Sequence, residues 1–96
     1  MIPTIKRRTV QLTEDTRRVL AVYLTAQGFT GRSQAIISAL HRTPEALPPY
    51  PLRRDGGPTI GADLRLPVGV WRQVDNIARC GECSISDALA WLVRLP

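Results

Sequence analysis

Two short stretches of this sequence carry side chains whose types and spacing could do chemistry. In the first, Arg7, Thr9 and Gln11 alternate with Arg8, Val10 and Leu12. Side chains on an extended strand alternate between faces. Val10 and Leu12 therefore turn inward, and Arg7, Thr9 and Gln11 stand together outside. An arginine, a hydroxyl and a primary amide on one exposed face suit the edges of bases, since arginine pairs with guanine and a side-chain amide with adenine. The second stretch is Cys80-Gly81-Glu82-Cys83. A zinc site usually takes four ligands, and the chain offers no second cysteine pair and only His41 besides. Two chains would have to share such a site, and a thioredoxin-like role needs a βαβ context that is absent. Cys80 is expected to be a small helix residue and Cys83 a turn residue, with no metal and no cofactor. His41 beside Arg42 suits the surface of a helix end. No nucleophile, base and acid set is visible, and no phosphate loop, so no enzyme is expected.

Charge points the same way as the first stretch. The 96 residues carry a formal net charge of +5. Residues 1–42 hold seven basic residues against two acids, whereas residues 43–96 hold six of each. All the excess therefore lies in the first half, and a basic excess favours nucleic acid or an anionic surface. Twelve of the thirteen basic residues are arginine, the side chain suited to bidentate contacts with guanine and phosphate. No apolar run reaches membrane-spanning length, and no apolar segment follows the basic N-terminus as in a signal peptide. A cytoplasmic protein with no membrane partner and no small-molecule ligand is expected. An apolar content of 44% is that of a folded chain. At this size a single core is marginal, and oligomerisation is a common remedy.

The elements that must position these groups are legible in order. Residues 7 to 13 form a strand. Thr13-Glu14-Asp15 then opens a helix with an N-cap and two first-turn acids. That helix runs from Glu14 to Gln27, with Val19, Leu20, Val22, Tyr23 and Leu24 as a broad apolar face, and Gly28 ends it. A second helix runs from Arg32-Ser33 to Arg42, buries Ile36, Ile37 and Leu40, and stops before Pro44. Residues 44–58 hold five of the eight prolines and two adjacent glycines. They read as a linker able to span roughly 40 Å when extended. Ala62 to Pro67 is a second alternating strand, with Leu64 and Leu66 inward and Asp63 and Arg65 outward. Val70, Val74, Ile77 and Ala78 stripe a third helix that ends near Gly81. Ser84-Ile85-Ser86-Asp87 has capping-box spacing, and Leu89, Leu92 and Val93 stripe a fourth helix. Trp71 and Trp91 are expected between these last two helices.

The halves superpose. Leu12, Thr16, Leu20, Tyr23 and Leu24 correspond to Leu66, Val70, Val74, Ile77 and Ala78 at an offset of 54. Ser33-Gln34-Ala35-Ile36 corresponds to Ser86-Asp87-Ala88-Leu89 at an offset of 53. An internal repeat of strand, helix, helix is the strongest signal in the chain.

These residues resemble the ribbon-helix-helix family, the Arc and MetJ type of bacterial DNA-binding protein. Leu66-Pro67, Val74, Ile77-Ala78, Gly81, Ser84, Ser86 and Leu89 match its pattern in the second half. Leu12, Leu20, Gly28, Arg32-Ser33 and Ile36 match it in the first. The resemblance covers nearly everything outside the linker, and a few relaxosome proteins of conjugative plasmids similarly carry two such units in one chain. It implies a mainly α fold with a short two-stranded antiparallel β-ribbon. The order would be βαα-linker-βαα, with repeat 1 at 1–43, the linker at 44–61 and repeat 2 at 62–96. The repeats would fold on each other as a single-chain pseudo-dimer; the alternative is an intertwined homodimer, with higher oligomers possible on DNA.

The resemblance further implies a ribbon in the major groove of double-stranded DNA. Arg7, Thr9, Gln11, Asp63 and Arg65 would face bases. Lys6, Arg8, Arg32, Ser33, Ser84 and Ser86 would contact phosphates, the serines at helix N-termini. Asp63 would be repelled by phosphate unless it accepts from a cytosine amine. The expected role is that of a small transcriptional repressor or a plasmid accessory factor. The alternative is a protein-interaction module such as an antitoxin, against which a chain stopping straight after its last helix would weigh.

Overall fold

The computed structural model describes residues 4–43, 47–49, 51–52 and 56–95. Six elements follow one another: β1 (Ile5–Thr13), α1 (Glu14–Gln27), α2 (Arg32–Arg42), β2 (Thr59–Pro67), α3 (Val68–Cys80) and α4 (Ile85–Arg94). The result is a small, mainly helical fold with one two-stranded antiparallel sheet, β1 against β2. Both strands run further than their residue types suggest. β1 already includes Ile5 and Lys6, and β2 includes Thr59, Ile60 and Gly61. The linker therefore gives way to strand after Pro58, not after residue 61 as expected. Gly61 carries no strand preference of its own; the ladder opposite Gln11 extends the strand through it.

An isolated two-stranded ribbon is marginal in water. Here its inner face is covered: Val10, Leu12, Leu64 and Leu66 are buried, with α4 packed on β1 and α2 on β2. Leu20, Ile36, Ile77, Leu89 and Leu92 complete the centre of the core. The broad apolar face expected on α1 is narrower in fact. Leu20 and Tyr23 are buried, Val19 and Leu24 partly so, but Val22 is 64% exposed.

Two helix ends show how the chain turns. At the end of α1, Phe29 N–H donates to the Leu24 carbonyl at 3.0 Å and Gly28 N–H to that of Thr25 at 3.2 Å. This is a Schellman closure, and Gly28 takes its left-handed position at φ 75°. At the end of α3, Cys83 N–H donates to Ala78 at 3.0 Å and Glu82 N–H to Arg79 at 3.2 Å. The closure is the same, but the left-handed residue is Glu82 at φ 50°. Gly81 sits one place early, in a right-handed conformation. Its own role is to let the linker approach. Leu52 N–H donates to the Gly81 carbonyl at 2.8 Å, and a Cβ on Gly81 would stand 2.9 Å from the Leu52 side chain. Pro44, expected to stop α2, lies outside the described residues, as do 45, 46, 50 and 53–55 of the linker.

Trp71 is buried in the core and turns its indole N–H toward the ribbon. Its indole N–H donates to the Lys6 carbonyl of β1 at 2.8 Å. A buried tryptophan needs an acceptor; helix-interior carbonyls are already used, whereas each strand of a two-stranded ribbon has a row of unpaired carbonyls. Trp91 is half-buried against the core. No helix among the described residues is long and apolar enough to cross a membrane.

Candidate nucleic-acid interface

The ribbon register decides which groups share the outer face. Arg7 lies opposite Arg65, Thr9 opposite Asp63 and Gln11 opposite Gly61. All six are exposed, so the structure brings the five expected base-facing residues together on one surface. The two strands enter this face from distant parts of the sequence, and the inward leucines at alternate positions hold its orientation. A slip of one residue would turn Leu12 and Leu66 to solvent.

The three cross-strand pairs differ in chemistry. Arg7 and Arg65 face each other, and neither makes an ion pair or hydrogen bond among the described residues. Like charges directly opposite on a sheet destabilise it, so this end of the ribbon is poised for an anion or an acceptor-rich surface. In the middle pair, the Thr9 hydroxyl donates to Asp63 Oδ1 across the strands. In the third pair, Gln11 lies across Gly61. The Thr59 hydroxyl donates to Gln11 Oε1 at 3.1 Å, and a Cβ on Gly61 would stand 3.2 Å from Gln11 Nε2. Glycine here leaves room for the amide, whose Nε2 lies over Gly61.

The residues expected at phosphates divide sharply. Lys6 and Arg32 are exposed and Ser33 is half-buried. Arg32 and Ser33 open α2, whose N-cap is Gly31 with no side-chain cap and no acid in the first turn. The side chain of Gln34 reaches back to accept from Thr30 N–H at 3.2 Å, and no N-cap side chain takes the first-turn N–H groups of α2. That is a helix N-terminus open to an anion.

Three expectations need correction. Arg8 shares the inner face with Val10, and there it pairs with Asp75 at 3.2 Å and lies 4.4 Å above the Trp71 ring. Its guanidinium is half-buried and already engaged by a carboxylate and a ring, so its charge is spent within the protein and not on phosphate. Ser86 is 1% exposed. Its hydroxyl accepts from Thr13 N–H at 3.0 Å and donates to Thr16 Oγ1 at 2.8 Å. Thr16 in turn donates to the Ser86 carbonyl at 3.0 Å, so Ser86 joins α4 to the β1–α1 junction and faces no solvent. Ser84 caps α4: it accepts from Asp87 N–H at 3.2 Å and donates to Asp87 Oδ2 at 3.0 Å. Asp87 places a negative charge in the first turn of α4, where it satisfies the helix dipole itself and would repel phosphate.

The cause of this division is visible in the sequence correspondence. Gln34 and Asp87 occupy equivalent places at the offset of 53, and so do Ser33 and Ser86. A neutral amide leaves one helix end open, and a carboxylate closes the other. The missed signal lay in the partners of Ser86. Thr13 and Thr16 supply a donor and a hydroxyl, whereas the residues equivalent to them at the offset of 54, Pro67 and Val70, supply neither.

Cys80 is exposed in the last turn of α3, and Cys83 is half-buried just after it. His41 is exposed in the last turn of α2. None of the three lies on the ribbon face. No protein-family model, curated protein or solved structure matches this chain.

Proposed function

We propose that the outer face of the ribbon binds double-stranded DNA in the major groove and reads its sequence. On this reading the chain is a tandem ribbon-helix-helix protein whose two units pair as a single-chain pseudo-dimer. A small repressor or plasmid accessory factor is the role that fits. The observation that carries the reading is the exposed Arg7–Arg65 pair, without an ion-pair partner among the described residues, beside Thr9–Asp63 and Gln11. A solvated face gains nothing from opposing guanidiniums. A groove lined with guanine acceptors and flanked by phosphates accounts for both charges. A two-stranded ribbon also has the width that the major groove admits.

Further support comes from the asymmetry of the helix ends. The open N-terminus of α2, with Arg32 and Ser33, belongs to the half of the chain that carries the basic excess. Phosphate contacts on that side would fix the register, and the ribbon would carry the sequence information. In cells the protein would then sit on the nucleoid or on a plasmid.

The test is a mobility-shift and anisotropy titration of the full chain against random duplex and single-stranded DNA between about 50 and 200 mM salt. The expected result is binding to duplex that weakens steeply with salt, with the slope set by the number of phosphates neutralised. Absence of duplex binding at the lowest salt would refute the proposal.

A further inference from the structure

We infer that the ribbon reads a directional DNA element, in which Asp63 selects a cytosine between a guanine-reading end and an adenine-reading end. This rests on the reading of the ribbon as a major-groove binder and adds which bases it prefers and in what order. The outer face is not symmetric about its middle pair. Arg7 and Arg65 form one end, Gln11 over Gly61 the other. Residues four apart on a strand are separated by roughly 13 Å. At about 3.4 Å per base pair the face covers about four base pairs.

A carboxylate at the centre needs a reason. Phosphates flank the groove along its whole length, and the guanidiniums of Arg7 and Arg65 in the adjoining pair offset their repulsion of Asp63. Thr9 donates to Asp63 Oδ1 and so pins the carboxylate outward. Its other oxygen, Oδ2, makes no hydrogen bond among the described residues. An ionised carboxylate only accepts, so its partner on the groove floor must donate. Two bases offer donors there, the cytosine N4 amine and the adenine N6 amine. Adenine places its N7 acceptor beside the amine, which repels a second acceptor; cytosine does not. The carboxylate thus selects cytosine.

At the Gln11 end, Thr59 occupies the amide oxygen. The Nε2 donor makes no hydrogen bond among the described residues, and rotation of the Thr59 hydroxyl frees Oε1 for the two-point contact that adenine takes. At the other end two guanidiniums meet guanine O6 and N7. A symmetric ribbon would demand a palindrome; this one does not.

The experiment is selection of binding sites from a random duplex library by the full chain, run in parallel with Asp63→Asn and Gln11→Ala. Asp63→Asn keeps an acceptor for Thr9 and adds a donor, so a purely structural role for Asp63 would leave the selected sequence unchanged. The expected wild-type site is non-palindromic. Replacing its central cytosine should weaken binding about five-fold or more. Asp63→Asn should lose that cytosine preference, at that position alone, and Gln11→Ala should lose the adenine preference. A palindromic site, or an Asp63→Asn variant that keeps the cytosine and merely binds all sequences more tightly, would overturn the inference while leaving DNA binding intact. No enrichment of any duplex by the wild type would overturn both this inference and the binding reading beneath it.

Discussion

Replacing Ser86 by alanine should unfold the protein more readily without touching DNA binding, and replacing Ser33 should do the reverse. The two serines occupy equivalent places in the two halves. Ser86 is 1% exposed, and its hydroxyl takes the backbone N–H of Thr13, itself 2% exposed. Alanine there leaves that buried donor without its acceptor and removes the 2.8 Å bond to Thr16. A stranded buried donor costs about 1–3 kcal/mol. Taking about 2 kcal/mol, and about 4–8 °C per kcal/mol for a domain of this size, Tm should fall by roughly 8–16 °C. In the other half the residues equivalent to Thr13 and Thr16 are Pro67, which has no N–H to offer, and Val70, which has no hydroxyl. Ser33→Ala should therefore change stability by less than about 0.5 kcal/mol. It should instead weaken DNA binding, because the hydroxyl at the open end of α2 is lost. Thermal unfolding by circular dichroism and anisotropy on a bound duplex measure the two effects. Equal Tm losses for both variants, or a Ser86→Ala protein as stable as wild type, would refute the reasoning from burial and partners.

Other outcomes follow from the same geometry. Gly28→Ala forces a side chain into the left-handed position at φ 75° and should cost about 1 kcal/mol in urea unfolding, while Glu82→Gly, at φ 50°, should gain somewhat less. A gain from Gly28→Ala would contradict the turn geometry. Gln11→Ala should weaken specific DNA binding by about 1–3 kcal/mol with unchanged Tm, and Val10→Ala, from the buried face, should lower Tm by measurable degrees. Since β1 finds its partner strand within the chain, dilute protein without DNA should sediment as a folded monomer; a folded state found only as a concentration-dependent dimer would point to strand exchange between chains.

Much of the helical framework was legible because its signals are local. The N-cap at Thr13, the stop at Gly28 and the start at Ser84 depend on residues within a few positions of each other, and each lies where residue type places it. Inward leucines two apart on each strand likewise announce their own burial. What escaped the sequence depends on partners distant in the chain. Gly81 marks the end of α3 as expected, yet it is Glu82 that takes the left-handed conformation of the turn, while Gly81 makes room for Leu52. Arg8 reads as a surface cation beside Arg7, until Asp75 and Trp71 appear beneath it. Ser86 looks like Ser33 until Thr13 and Thr16 close over it. On the candidate interface, alternation alone identified the outward groups. The order Arg–Arg, Thr–Asp, Gln–Gly across the strands required the register, which no local pattern encodes.

The central claim is that Arg7 and Arg65 lie in the major groove, and methylation interference at guanine N7 tests it most directly. That atom lies on the major-groove edge, and methylating it blocks an arginine contact without altering the minor-groove edge. Partly methylated duplex carrying the selected site is divided by the full chain into bound and free fractions. Methylation at one or two guanines at one end of the site should exclude the duplex from the bound fraction. The Arg7→Ala, Arg65→Ala double variant, still folded, should bind more weakly and lose that interference. Binding indifferent to N7 methylation throughout the site, or interference unchanged in the double variant, would contradict the account.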